Sequence, residues 1–200
     1  MNKLLSAGLL LGVLGALAGC DTTAKVEAFK STDITGANFG KDFQLTDHNG
    51  KARSLADFKG KVVVLFFGYT HCPDACPTTL AELALVMKQL GADSKKVQVL
   101  FVTVDPERDT PRLLAQYVPS FDPGFVGLYG DLDATARTAN EFKVVYQKVA
   151  GSSPDNYTMD HSAGTYVFDQ AGRLRLFVSY GQGATVLLHD IRILLAQNPA

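Results

Sequence analysis

Apolar positions fall into different registers along this chain, and each register predicts its own kind of element. Val62-Val63-Val64-Leu65-Phe66-Phe67 is apolar at every position and rich in β-branched and aromatic side chains, which specifies a central strand buried on both faces. Val97 to Val104 reads as a second buried strand. Between the two, Leu80, Leu83, Ala84, Met87 and Leu90 recur at helical spacing, giving one apolar stripe. Pro77 suits the first position of that helix and Gly91 its end. Asp109-Thr110-Pro111 opens a further helix carrying Leu113, Leu114 and Tyr117. Phe125 to Tyr129 reads as a short strand and Asp131 to Phe142 as a helix. Residues 151 to 160, rich in Gly, Ser, Pro, Asp and Asn, have the composition of a loop. Thr165 to Asp169 and Leu174 to Tyr180 alternate around Gln170-Ala171-Gly172 as a hairpin. The short segments of Phe43 to Leu55 do the same around Asn49-Gly50. Thr185 to Gln197 is a final amphipathic helix.

Strands that alternate with helices predict an α/β sheet with covered faces. Two cysteines between a buried strand and the next helix, with a hairpin and then a helix at the end, give the thioredoxin-like arrangement. The expected architecture is a central mixed β-sheet flanked by helices, with an N-terminal hairpin extension.

Composition narrows the function. Of 200 residues, 46% are hydrophobic and 20% charged, enough for one globular core. Lysine and arginine number 19 against 20 acidic residues. No basic face emerges, which argues against nucleic-acid binding. Residues 1–19 are a signal segment: Lys3 is followed by an apolar run from Leu4 to Ala18 that is too short for a comfortable membrane span. The run ends Leu17-Ala18-Gly19-Cys20, which resembles a bacterial lipobox and makes Cys20 the expected lipidation site. An ordinary signal peptide with an incidental Cys20 is the competing reading. A lipid at Cys20 would hold the protein on a membrane in the bacterial cell envelope, at the periplasmic face of the inner membrane. Asp21 resembles a retention signal for that membrane. Residues 20–36 read as a tether, and residues 37–200 as the folded domain.

With Cys20 lipidated, Cys72 and Cys76 are the remaining thiols. One pair four positions apart is a chemical site rather than a disulfide framework. Cys76 falls at or just before a helix N-terminus, where free N–H groups and the dipole favour a thiolate. The pair can close a disulfide or bind a soft metal. A structural zinc site would need two more ligands, and no second cysteine pair exists to supply them. Among the histidines, His48 is expected in solvent near a turn, and His189 in a surface or packing role. His71 adjoins Cys72, but neighbouring side chains in an extended segment point apart. His161, in Asp160-His161-Ser162-Ala163-Gly164, precedes the strand Thr165 to Asp169, on the loop that faces the cysteines in thioredoxin-like folds. A proline normally stands there. Two thiolates and an imidazole make a soft set suited to copper, as Cu(I) or Cu(II). Asp160 or another nearby carboxylate is a candidate to orient His161.

These residues carry a resemblance to the Sco/SenC family of copper proteins. The matching segments are Phe67-Gly68-Tyr69-Thr70-His71-Cys72-Pro73-Asp74-Ala75-Cys76-Pro77, Val104-Asp105-Pro106-Glu107-Arg108-Asp109-Thr110 and Tyr157-Thr158-Met159-Asp160-His161-Ser162. The resemblance implies a thioredoxin fold, membrane tethering, about one copper per chain, and Cys72, Cys76 and His161 as ligands. It also implies delivery of copper to the dinuclear centre of cytochrome c oxidase subunit II, with that subunit or its assembly factors and a copper donor protein as partners. The middle segment reads as structural, since Asp109 and Thr110 can cap a helix. The alternative is enzymatic: a thiol-disulfide oxidoreductase that reduces the oxidase's copper-site cysteines through Cys72 and Cys76. A distal imidazole favours the chaperone, because disulfide exchange has no need of one.

Overall fold

The computed structural model describes residues 27–153 and 156–197. The signal segment and the lipidation expected at Cys20 lie outside them. Among the described residues no helix is long and apolar enough to cross a membrane.

Ten strands and four α-helices follow in the order β1 (Thr32–Asp33), β2 (Leu45–Asp47), β3 (Ala52–Arg53), β4 (Val62–Gly68), α1 (Ala75–Leu90), β5 (Val97–Thr103), α2 (Pro111–Tyr117), β6 (Val126–Tyr129), α3 (Leu132–Glu141), β7 (Tyr146–Ser153), β8 (Asn156–His161), β9 (Thr165–Phe168), β10 (Leu174–Val178) and α4 (Ala184–Ala196). Eight strands form one sheet in the order β1-β10-β9-β4-β5-β6-β2-β3, and β7 and β8 pair separately. β4, β5 and β6 run parallel, and β9 and β10 complete the sheet antiparallel. This is the mixed sheet of a thioredoxin-like fold. The early hairpin, β2 and β3, extends it by pairing with β6. At the opposite edge Thr32 and Asp33, within the stretch read as a tether, pair with β10.

β4 and β5 are buried at every position, as central strands covered on both faces are. Helices α1 and α4 pack on each other, and α4 also reaches β4. Aromatic rings fill the space beneath β9: Phe142 lies 5.4 Å from both Phe67 and Tyr166, centroid to centroid. The Tyr166 hydroxyl donates to the Phe142 carbonyl at 2.7 Å, so the polar atom is satisfied inside the core.

Register places the site. Gly68 pairs with Thr103 at the carboxyl ends of β4 and β5, and Phe66 pairs with Thr165 at the start of β9. The segments after β4, after β5 and before β9 therefore emerge at one end of the sheet. In open α/β sheets ligands gather outside the carboxyl ends of the parallel strands.

One sequence expectation is corrected. Residues 151–153 and 156–160 are not loop: they belong to β7 and β8, which pair antiparallel with Tyr146 opposite His161. The polar composition reflects a solvated face, while Tyr157 and Met159 alternate inward and are buried.

Candidate metal centre

The cysteine loop is set by a glycine below it. A Cβ at Gly68 would lie 2.8 Å from the Phe101 ring and 2.9 Å from the Cys76 sulfur. Only a residue without one lets Cys76 rest on the end of β4. The chain then turns, Cys72 N–H donating to the Tyr69 carbonyl at 3.2 Å. Helix α1 starts at Ala75, earlier than Pro77, so Cys76 lies in its first turn. The Cys76 amide, one of the N–H groups that a helix start leaves free, donates to the Cys72 sulfur at 3.3 Å. Cys72 is half-buried and Cys76 fully buried. Burial pushes the Cys76 thiol well above its ordinary pKa, against a smaller opposing effect of the Tyr69 backbone. A metal bound there would displace the thiol proton, because the thiolate is the ligand.

His161 ends β8. Its Nδ1 lies 3.1 Å from the Ser162 carbonyl, which accepts the Nδ1 proton and leaves the Nε2 lone pair free. Nε2 is 3.6 Å from the Cys76 sulfur. The ring stands edge-on between Tyr69, at 5.9 Å between centroids, and Phe66, at 6.4 Å. Burial lowers its pKa, outweighing the Ser162 carbonyl and Asp160, and so favours the neutral imidazole that a metal requires.

The two sulfurs and Nε2 all lie within 4.8 Å of one another. An ion bonded at roughly 2.0–2.3 Å, the range for nitrogen and sulfur ligands on zinc, would need only a few tenths of an ångström of closure. Among the described residues no other group of three or more His, Cys, Asp or Glu side chains converges in this way.

The remaining expectations fare unevenly. His71 is exposed and turns to Thr70 Oγ1, at 3.1 Å, away from the converging set. His48 is half-buried rather than solvated, because its Nδ1 accepts the Gly127 amide at 3.0 Å and ties the early hairpin to β6. His189 has a packing role, with Nδ1 2.7 Å from Asp190 and Nε2 2.9 Å from Glu27. Among the described residues no carboxylate is hydrogen-bonded to His161; Asp160 is exposed and the Ser162 carbonyl takes that part. Thr110 caps α2, its hydroxyl accepting the Leu113 amide at 3.2 Å. Asp109 does not cap. It is buried, and accepts the Thr70 amide at 3.1 Å, the Thr70 hydroxyl at 2.5 Å and the Thr103 hydroxyl at 2.6 Å. Burial raises its pKa, those hydrogen bonds opposing.

The sequence model of the SCO1/SenC family matches residues 31–196. The chain belongs to this family. Within the family it is 39% identical to the bovine mitochondrial SCO2 homolog over 153 residues, 76% of this chain and 58% of that protein. It is 41% identical to the human one over 141 residues, 70% of this chain and 52% of that protein. The chain thus spans little more than half the length of these curated relatives. Among solved structures it is similar to copper-bound ScoI of Bradyrhizobium japonicum, at 42% identity and a TM-score of 0.71, covering 77% of this chain and 98% of that one. Apo Sco1 of Thermus thermophilus shares 38% identity with a TM-score of 0.76, covering 85% and 99%.

Proposed function

We propose that Cys72, Cys76 and His161 hold one copper ion, and that the protein is a copper metallochaperone serving cytochrome c oxidase assembly. The observation that carries this reading is the convergence of both sulfurs and His161 Nε2 within 4.8 Å. The chemistry of the set agrees. Thiolates select Cu(I), and an imidazole helps accommodate Cu(II). The copper-bound relative from Bradyrhizobium japonicum supports the choice of metal. Copper here is cargo. The acceptor is the dinuclear copper centre of oxidase subunit II, and a donor protein loads the site. A lipid on Cys20 would keep the domain, residues 37–200, at the periplasmic surface of the inner membrane.

Copper titration of the reduced domain, with and without His161→Ala, is the test. About one copper per chain is expected from one ligand set, with Cu(II) affinity falling most in the variant. In cells carrying only His161→Ala, oxidase assembly should fail. Near-normal oxidase activity with a copper-free domain would sink the chaperone reading.

A second reading rests on Cys72. Its sulfur is half-exposed, accepts an amide at a helix start, and neighbours a second free thiol. Those are the requirements of a thiol-disulfide oxidoreductase. Under that reading, assembly persists in His161→Ala and is lost in Cys72→Ser.

A further inference from the structure

The turn Asp105-Pro106-Glu107-Arg108-Asp109 leaves β5 at the same sheet end as the cysteine loop, and the proposed copper chemistry uses none of its side chains. It nevertheless touches both halves of the site. Asp109 holds Thr70, two residues before Cys72. Arg108 holds the other half.

The β7–β8 hairpin carries His161 but is not hydrogen-bonded into the main sheet. It needs another anchor if His161 is to stay in place. Strand side chains alternate in direction, so Tyr157, Met159 and His161 share one face of β8. Whatever fixes Tyr157 fixes the rotation of the face that bears the imidazole. The Arg108 guanidinium lies 3.4 Å from the centroid of the Tyr157 ring, and its Nη1 donates to the Tyr157 carbonyl at 2.9 Å. Its Nε donates to Asp105 Oδ2 at 2.5 Å, and Asp105 Oδ1 accepts the Tyr157 hydroxyl at 2.7 Å. One arginine and one carboxylate thus grip the ring, the hydroxyl and the backbone of a single strand residue. Lys148 of β7 adds an ion pair to Glu107 at 2.8 Å. Arg108 also stands 5.9 Å from the Tyr69 ring, which lies at the same distance from His161.

We infer that Arg108, held by Asp105, is a positioning residue that sets His161 against the two cysteines. The inference rests on the reading of His161 as a copper ligand. Arginine suits the task because a planar fork can stack on a ring and bond to two acceptors at once, which a lysine ammonium cannot. The energetic logic is that of the outer partners that orient metal ligands, whose loss costs about 10–100-fold in affinity.

The test uses the reduced protein with Arg108→Ala, Arg108→Lys, His161→Ala and the double variant Arg108→Ala/His161→Ala. Arg108→Ala should keep both free thiols and Cu(I) binding. It should lose about tenfold or more in Cu(II) affinity and shift the Cu(II) spectrum toward that of His161→Ala. The double variant should bind Cu(II) no more weakly than His161→Ala alone, since both changes remove the same interaction. Arg108→Lys should show the same loss in smaller measure, and decides the matter if Arg108→Ala does not fold. A metal-free readout runs in parallel: the His161 ring protons in the apo protein, displaced by the Tyr69 and Phe66 ring currents, should move toward random-coil positions in both Arg108 variants. Unchanged His161 protons and unchanged Cu(II) binding in a folded Arg108 variant overturn the inference. If instead His161→Ala binds Cu(II) like the parent, the ligand reading fails, and the apo spectra alone decide what Arg108 does.

Discussion

The carboxylate of Asp109 accepts both the amide and the hydroxyl of Thr70, so a buried acid after one central strand holds the cysteine loop after its neighbour. Replacing Asp109 with alanine leaves the Thr70 amide and the Thr103 hydroxyl without their partner. Each such buried group costs about 1–3 kcal/mol. Asp109→Ala should therefore lose roughly 2–6 kcal/mol by that measure in denaturant unfolding, and copper binding should weaken with it. Asp109→Asn keeps one acceptor oxygen and should lose less. Equal stability of Asp109→Ala and the parent would remove the carboxylate from this role.

Gly68→Ala tests the close approach of strand and sulfur. The added methyl would sit 2.9 Å from the Cys76 sulfur and 2.8 Å from the Phe101 ring. Overpacking of this kind costs about 1–3 kcal/mol. The domain should still fold, with a lower thermal midpoint and a displaced Cys76. Copper titration should show weaker binding in both oxidation states, unlike His161→Ala, where Cu(II) suffers most. A variant that binds both ions like the parent would show that the sulfur tolerates displacement.

Oxidation offers a third test. A Cys72–Cys76 disulfide removes both thiolates from the ligand set. Reduced protein should bind about one copper per chain, as one soft set allows, and disulfide-bonded protein far less. Equal stoichiometry in the two states would refute a dithiolate site.

The attachment of residues 27–31 to α4 should respond to pH. Burial opposes ionisation of Asp190, but Ser31, the Lys30 amide and His189 together outweigh it and hold the carboxyl below its ordinary value. The folded state then binds fewer protons than the unfolded one. The stability this contributes is full above about pH 4 and is lost as pH falls through the depressed value. His189 runs the other way. Asp190 first, and Glu27 after it, raise its pKa, so its contribution is full below about pH 6.5 and is lost as pH rises through the raised value. Thermal midpoints of the parent and Asp190→Asn across the acid range are the measurement. The two curves should converge at low pH and separate near neutrality. Parallel curves would mean that Asp190 is not the group that titrates.

Much of this was legible in the sequence, and the exceptions have physical causes. Unbroken apolar runs such as Val62 to Phe67 announce central strands, because only a strand covered on both faces needs them. The cysteines were legible because their spacing after such a strand carries chemistry by itself. The β7–β8 pair was not, since strands with one solvated face and many small polar residues have the composition of a loop. Its signal was the inward alternation of Tyr157, Met159 and His161. Asp105, Arg108 and Asp109 were hidden for a different reason. Their partners, Tyr157 and Thr70, are distant in sequence, and no local spacing records a contact made by topology. His48 was misjudged likewise, because the Gly127 amide it accepts comes from another strand.

Cys76, in the first turn of α1, is fully buried, whereas Cys72 is only half-buried. On the proposed copper reading, an ion held between them would have an inner and an outer side. An incoming thiolate would reach it from the Cys72 side, so Cys72 would be the first ligand exchanged and Cys76 the last. The unequal depth of the two sulfurs would set the order of exchange.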